Sequence, residues 1–144
     1  MKTWIKVIGT LVIVGLIALF VVYKFFYNKP HPDFENQKAD FSVVASDLFQ
    51  SYKDDNITAV ERFNGKLLEV TGVLTKIDTP DDLTVAVFEF DEGMFGPEGV
   101  RITMLPEYAQ PLINLGIGKE ITIKGFCTGY NETDVILEKG SIVN

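Results

Sequence analysis

The stretch ITIKGFCTGYNETDVILEKGSIV, residues 121–143, contains two runs of alternating apolar and polar residues, separated by glycine and asparagine. Alternation with a period of two predicts β-strands, and Gly129 with Asn131 is typical of the turn between them. Gly125, inside the first run, predicts a bulge or a sharp bend. We therefore predict a hairpin whose first strand bends at a glycine.

Three further strands are predicted upstream, at KLLEVTGVLTKID (66–78), LTVAVFEF (83–90) and VRITML (100–105). Gly72 interrupts the first of them and again predicts a bend, and PEYAQPLINLG (106–116) is expected to be a short helical or irregular connection. Three strands, a connection and two strands, with glycine bends in the first and fourth, is the order of an oligonucleotide/oligosaccharide-binding (OB) barrel. The predicted fold class is all-β, a five-stranded OB-fold barrel.

Two short helices are predicted ahead of the barrel. The first lies within residues 39–55, with Asp40 as a candidate N-cap and with apolar side chains at helical spacing: Phe41, Val44, Leu48 and Tyr52. Residues 56–63 form the second predicted helix, with Asn56 as its cap. The barrel is thus expected to carry two helices at its N-terminal side.

The N-terminal region predicts a membrane-spanning helix at about residues 5–25. Between Lys6 and Lys24 lie 17 residues without a charge, which at about 1.5 Å per residue cover roughly 26 Å of a hydrocarbon core ~30 Å thick. The apolar stretch continues into aromatic residues where a signal peptide would be cleaved, so we expect it to be retained as an anchor.

These features divide the chain into a membrane anchor (1–28), a linker (29–38) and an OB-fold domain with its N-terminal helices (39–144). We expect a single-pass membrane protein; the lysines on the two sides of the span are nearly balanced, and the domain is expected outside the cytoplasm because short N-terminal anchors usually export the rest of the chain. From Asp33 onward the chain has 20 acidic residues against 9 Lys or Arg, a net charge of −11. Such a surface disfavours nucleic acid as a partner.

Two segments match a recurring motif: FNGKLLEVTGVLTKI (63–77), with Gly-Lys and then Val-x-Gly, and LGIGKEITIKGFCTG (115–129), with Ile-Lys-Gly-x-Cys-x-Gly. In these segments the chain resembles the bacterial tRNA-anticodon-binding-like (tRNA_anti-like) proteins, small OB-fold domains behind a membrane or lipoprotein anchor. The resemblance implies an OB fold and an envelope location, which for a retained anchor is the bacterial cytoplasmic (inner) membrane. It also implies that relatives often have a second cysteine where this chain has Gly140.

Cys127 is the only cysteine, and it shares its strand phase with Ile121 and Ile123. We predict a structural residue facing the barrel interior, whereas a redox or intermolecular role and a metal site are the alternatives. The only histidine, His31, is in the linker. No catalytic set, zinc spacing or phosphate loop can be assembled, so no enzyme, metal or cofactor is predicted.

The second and third strands are the usual ligand-binding face of an OB barrel. Because the second strand is apolar on both sides, Phe88 and Phe90 are expected on the surface beside Arg101 and Thr103. These aromatics could cover the N-terminal helices or the barrel end, contact a protein or peptide, or stack on bases. We predict a non-catalytic binding module for an envelope protein or peptide, using this face and the 91–99 loop; the alternative is a single-stranded nucleic-acid or oligosaccharide binder.

Overall fold

The structure is a computed structural model that describes residues 1–27 and 34–143. The chain divides into two compact units, Met1–Asp33 and Phe34–Asn144. The predicted linker residue His31 lies outside the described residues.

In the described part of the first unit, residues 1–27, the chain forms the helix α1 (Lys2–Phe26), of 25 residues. Its mean hydropathy is 2.8, and its apolar side chains are exposed on all sides. A helix of this length and composition can cross a membrane. The apolar N-terminal helix expected from the sequence is therefore present, and it can serve as a signal or an anchor.

The second unit contains seven strands: β1 (Phe41–Val44), β2 (Leu67–Val73), β3 (Lys76–Asp78), β4 (Val85–Gly93), β5 (Gly96–Met104), β6 (Glu120–Tyr130) and β7 (Asp134–Ile142). Its helices are α2 (Ala45–Asp54), α3 (Asn56–Phe63) and α4 (Pro106–Leu115), with a 3-10 turn at Pro80–Asp82. The strands form one sheet in the order β1-β2-β6-β7-β5-β4-β3. The pairs β1–β2 and β5–β7 are parallel, and the other pairs are antiparallel.

The predicted all-β class with five strands is wrong, because the described residues are mixed α/β, with 41% helix and a seven-stranded mixed sheet. One additional strand, β1, occupies the start of the first predicted helix. Its residues alternate between partial burial and exposure, as in a strand, and α2 begins only at Ala45. Asp40 does not cap that helix: its carboxylate accepts a hydrogen bond of 2.9 Å from the Leu67 N–H. Pairing with β2 thus prevails over the helical spacing.

The other additional strand arises because the first predicted strand is divided at Leu74 and Thr75. Gly72 lies inside β2, where it pairs with Ile121. The Thr75 N–H donates to the Val87 carbonyl at 3.0 Å, so the junction still contacts β4. Since β2 continues into β3, the series β2-β6-β7-β5-β4-β3 begins and ends in one bent strand. The sheet therefore closes with the connectivity of an OB barrel.

The core combines the barrel interior with one side of α2 and α3. The helices contribute Leu48, Phe49, Tyr52, Ala59 and Phe63, and the barrel contributes Leu68, Val70, Phe88, Val100, Ile102, Ile123, Cys127, Val135 and Leu137. The helix α3 is capped by Asp55 rather than by Asn56, because the Asp55 carboxylate accepts from the Thr58 N–H at 3.2 Å. Burying each large apolar side chain contributes about 1.5–3 kcal/mol before entropy costs.

Close packing explains two glycines. A Cβ atom on Gly72 would lie 3.0 Å from the Cβ of Ala45 and 3.1 Å from Cδ1 of Phe88. A Cβ atom on Gly125 would lie 3.3 Å from Leu137, and the pairing of β6 with β7 shifts register at this position. A larger residue at either position would have to displace a core side chain.

Residues of the predicted linker contact the barrel. The rings of Phe34 and Phe126 stack with centroids 5.3 Å apart. The Lys124 ammonium donates to the backbone carbonyls of Glu35 and Gln37, both at 2.8 Å. The linker boundaries remain a prediction, but the segment that follows residue 33 lies against β6.

Candidate binding surface on strands β4 and β5

The outer face of β3, β4 and β5 is the surface on which OB barrels usually bind ligands. The register aligns two rows of residues there: Lys76, Val87 and Arg101 in one row, and Asp78, Val85 and Thr103 in the next. Directly opposite residues project to the same face of a sheet. Although Val87 belongs to this outer face, only 1% of its surface is exposed.

Arg101 is held by two carboxylates at the centre of this face. Its Nη1 lies 2.8 Å from Oδ2 of Asp78, and its Nε lies 3.1 Å from Oδ2 of Asp134. The other oxygen of Asp134 accepts from the Gly99 N–H at 3.0 Å. The guanidinium therefore ties β3, β5 and β7 together, and its charge is already neutralised within the fold.

The other cation of these rows, Lys76, is also paired. Its ammonium lies 3.1 Å from Oδ1 of Asp78. The hydrogen bond from Lys76 is the main reason why the pKa of Asp78 lies below its ordinary value. The hydrogen bond from Arg101 lowers this pKa further, and partial burial of Asp78 opposes both effects. The face thus combines positive and negative charges in internal pairs and does not form a basic groove.

Phe88 is not on the surface, contrary to the expectation from the sequence. Its side chain is fully buried, and it pairs with Val100 across β4 and β5. Because side chains alternate along a strand, Phe88 faces the barrel interior while Val87 and its partner Arg101 face outward. The strand β4 is apolar on both sides because both sides are buried. One side fills the barrel interior, and the other side is covered on the outer face.

Phe90 lies beyond a register shift between Glu89 and Asp91, where the strand pairing is irregular. Its ring stacks on Phe49 of α2, with centroids 5.9 Å apart, and 41% of its surface is exposed. The ammonium of Lys53 lies 5.2 Å from the Phe49 centroid. Phe90 therefore contacts an N-terminal helix, which is one of the alternatives that the sequence leaves open.

Thr103 lies on the outer face, opposite Val85 and two positions from Arg101 on the same strand. It is partly exposed. The four predicted binding residues consequently do not form one cluster. Only Arg101 and Thr103 share a face, while Phe88 is in the core and Phe90 packs on α2.

The most exposed apolar residues of this region are Met94 and Phe95, which the sequence predicts only as part of the 91–99 loop. The strands extend through most of that loop, since β4 continues to Gly93 and β5 begins at Gly96. Met94 and Phe95 form the two-residue turn between them, and each is 90% exposed. The sequence pattern that could have predicted this turn is GMFG, in which two glycines enclose a two-residue turn.

Acidic residues surround the base of this hairpin tip. Asp91, Glu92, Glu89 and Pro97 join Phe90 in lining a shallow cleft of about 370 Å³. Lys53 pairs with Asp91 at 2.6 Å, and its hydrogen bond is the main cause that lowers the pKa of this carboxyl. The tip is therefore apolar, and its base is negatively charged.

Cys127 is fully buried. Its Sγ lies 3.4 Å from the hydroxyl of Tyr52, which donates to Oδ1 of Asn64 at 2.6 Å. Burial raises the pKa of the Cys127 thiol, so the reactive thiolate is suppressed at neutral pH. Within residues 1–27 and 34–143, no group of three or more His, Cys, Asp or Glu side chains is placed to hold a metal ion.

A closed barrel of this connectivity defines a domain of the OB type, a fold whose characteristic role is binding. More particularly, the family model described as tRNA_anti-like matches residues 1–142. The chain belongs to this family. No curated protein sequence matches it.

Solved structures that are similar to the chain include a bacterial and a yeast example. A lipoprotein from Klebsiella pneumoniae, for which nucleic-acid binding is proposed, has 14% identity and a TM-score of 0.53 over 81% of this chain and 100% of its own. At that identity the similarity shows the fold alone. The crystal structure of yeast Stn1 and Ten1 has 8% identity and a TM-score of 0.37 over 78% of this chain and 66% of its own, which is too low to support an argument.

Proposed function

We propose that this protein is a membrane-anchored, non-catalytic binding module of the bacterial cell envelope that contacts a protein or peptide partner through its hairpin tip. The observation that carries the proposal is the exposure of Met94 and Phe95, each 90% accessible at the turn between β4 and β5. Burying a large apolar side chain of this kind contributes about 1.5–3 kcal/mol. A partner with an apolar pocket would gain this energy.

The charge around the tip defines the partner further. Glu92 lies at the cleft beside the tip, and no ion pair among the described residues uses it. Complementary charges fix the orientation of a complex more than they raise its affinity. The proposed partner therefore has an apolar pocket with basic residues at its rim.

The proposed location rests on α1. We take residues 1–28 to be a retained single-pass anchor, 29–38 a linker and 39–144 the domain, held outside the cytoplasm at the cytoplasmic membrane. The apolar surface of α1 on all sides supports the anchor, and the similar Klebsiella pneumoniae protein is named a lipoprotein, which agrees with an envelope location. Alkaline phosphatase fused after residue 144 should be active, whereas an inactive fusion would reverse the orientation.

A second candidate function is binding of single-stranded nucleic acid or oligosaccharide. It is favoured by the description of the similar lipoprotein and by the ligands that OB folds commonly take. Phe95 could stack on a base. The pairing of Arg101 with Asp78 and Asp134 opposes it, because a phosphate would have to displace those carboxylates.

One experiment separates the two candidates. The full chain in neutral detergent micelles is titrated with a fluorescein-labelled single-stranded DNA 15-mer at about 50 and 200 mM salt. The protein-partner proposal expects weak binding that Phe95→Ser does not change. Tight binding that falls steeply with salt and is lost in Phe95→Ser would establish the second candidate instead.

The partner itself is sought by placing a photo-crosslinking residue at position 95 in cells. Position 83 is the matched control, because Leu83 is 51% exposed and precedes β4 at the end opposite the hairpin tip. A specific envelope protein should crosslink from 95 and not from 83, and the purified pair should lose affinity about tenfold or more in Phe95→Ser. Equal crosslinking from both positions would contradict the proposal.

A further inference from the structure

Strand β1 forms an open edge of the sheet. In the described residues it pairs only with β2, through a parallel register that sets Phe41 opposite Leu68. The Asp40 N–H donates to the Leu67 carbonyl, and alternate residues of a strand point their backbone groups to the same side. The N–H and C=O groups of Phe41 and Val43 therefore point away from β2, and no described residue binds them.

This edge has few of the features that usually prevent further pairing. Edge strands are commonly protected by being short, or by lysine, proline or a bulge. The strand β1 is short, with four residues, but its sequence FSVV contains neither lysine nor proline, and its register with β2 is regular. The side chains of Phe41 and Val43 pack against the core, so the strand is held in an extended form.

A groove of about 310 Å³ lies beside this edge, between β1, α2 and α3. Its lining includes the buried side chains of Leu48 and Phe63, which supply an apolar floor. The guanidinium of Arg62 also lines it and lies 5.0 Å from the ring centroid of Phe63. A second hollow of about 210 Å³ shares Ser51, Arg62 and Phe63 with the first, so the two adjoin and the groove includes both.

Acidic residues predominate along this groove. Asp47 lines its first part, and Asp54 and Asp55 line its second part. Hydrogen bonds from the side chain and backbone of Thr58 lower the pKa of Asp55, so this carboxylate is ionised at neutral pH. Arg62 is the single cation among the residues that line the groove. An occupant with positive charge is therefore favoured.

We propose that the edge of β1 and this groove bind an extended, basic segment of a partner protein, which joins the sheet as an additional strand. Its backbone would exchange hydrogen bonds with Phe41 and Val43. One of its aliphatic side chains would enter the groove over Leu48 and Phe63, with Lys or Arg beside Asp47. This is strand addition, in which main-chain bonds supply affinity and alternate side chains supply specificity.

A second copy of this chain is a poorer occupant. Antiparallel pairing of two β1 strands would bring together two domains that each carry a net charge of −11 from Asp33 onward. The repulsion between like charges in close contact opposes such a dimer. The site is also distinct from the hairpin tip, which is formed by β4 and β5, so the two can be tested separately.

The test uses the full chain in neutral detergent micelles and three fluorescein-labelled seven-residue peptides. One alternates Lys and Val, one alternates Glu and Val, and one is the Lys/Val peptide with N-methylated backbone nitrogens at alternate positions. The proposal expects the Lys/Val peptide to bind at least tenfold more tightly than the other two. Equal affinity for the Lys/Val and Glu/Val peptides, or full binding by the methylated peptide, would overturn it.

The variant Val43→Pro removes the outward N–H. It removes no bond to β2, because the Val43 N–H points away from that strand, and proline is tolerated at sheet edges. It should weaken the Lys/Val peptide at least tenfold, while Phe95→Ser should leave the affinity unchanged. Unaltered binding in Val43→Pro, or loss in Phe95→Ser, would contradict the site. If Val43→Pro fails to fold, Asp47→Lys replaces it and should abolish the preference for the basic over the acidic peptide, because it leaves two carboxylates, Asp54 and Asp55, against two cations; an unchanged preference counts against the proposal.

Amide hydrogen exchange gives a readout specific to the backbone. In the protein alone the Phe41 and Val43 amides should exchange rapidly, and saturating Lys/Val peptide should slow them at least tenfold. Peptide binding without that protection would refute strand addition. Dimerisation of the chain that protects the same amides without peptide would show that a second copy is the occupant. Neither outcome affects the function proposed for the hairpin tip.

Discussion

The hairpin of β4 and β5 contains two regions that differ in what they leave available to a ligand. Around Arg101, each charged group is paired: the guanidinium contacts Asp78 and Asp134, and Lys76 contacts Asp78. At the turn, Met94 and Phe95 are 90% exposed. Charged residues on a usual ligand-binding face can thus be paired entirely within the fold. The residues whose burial by a partner would contribute most free energy are instead the exposed apolar ones at the turn.

The largest expected effect is on the Arg101 region. Arg101→Ala should lower the free energy of unfolding by about 2–4 kcal/mol, because it leaves the carboxylate of Asp134 without its cation. That side chain is only 10% exposed. Urea unfolding followed by circular dichroism measures the change, since the only tryptophan, Trp4, lies in α1 and does not report on the barrel.

Lys76→Ala is the matched control for Arg101→Ala. Lys76 contacts the same carboxylate, Asp78, but its side chain is 55% exposed. Exposed ion pairs contribute about 0–1 kcal/mol, so the control should change stability little. If Arg101→Ala proved as mild as Lys76→Ala, the guanidinium would not be committed to the fold, and the contrast with the hairpin tip would fail.

Cys127 provides an internal probe of the same difference. Its thiol is buried in the core and should react with a thiol reagent only when the domain opens. Arg101→Ala should therefore accelerate labelling by about 100-fold, whereas Phe95→Ser should not. Rapid labelling of the unmodified protein would instead show that the thiol is accessible in the native state.

The ion pairs of Asp78 also predict a dependence of stability on pH. The folded pKa of Asp78 is lowered, chiefly by Lys76, so its contribution is complete above the unfolded pKa of about 3.9. It is lost as the pH falls through the folded pKa. Asp78→Asn should flatten the acid decline of stability relative to Glu92→Gln, which removes a surface charge without an ion pair. Parallel declines in the two variants would disagree with this assignment.

The smallest expected effect is on the stability of the hairpin tip. Phe95→Ser should change the free energy of unfolding by less than about 0.5 kcal/mol, because its side chain is already in solvent. The same substitution is expected to reduce partner binding. A large loss of stability would mean that Phe95 packs on the domain and is not held for a partner.

Much of the barrel could be predicted from the sequence because its strands alternate clearly. The hairpin of β6 and β7 and the helical connection α4 lie close to their predicted positions. The strand β1 was missed because its apolar residues also fit a helical period, and only the pairing with β2 distinguishes the two. Phe88 was misplaced because an apolar alternation on both sides of a strand does not reveal which side fills the barrel.

The sequence by itself determined the apolar N-terminal helix, the OB-type strand order and the acidic charge of the domain, since these depend on composition and local periodicity. Only the tertiary structure decided which charges and which aromatic residues remain available. Register across β3, β4 and β5 places Arg101 between Asp78 and Asp134, and the close approach of β4 to β5 turns Met94 and Phe95 into solvent. Those outcomes depend on contacts between residues distant in the chain, which a local pattern does not contain.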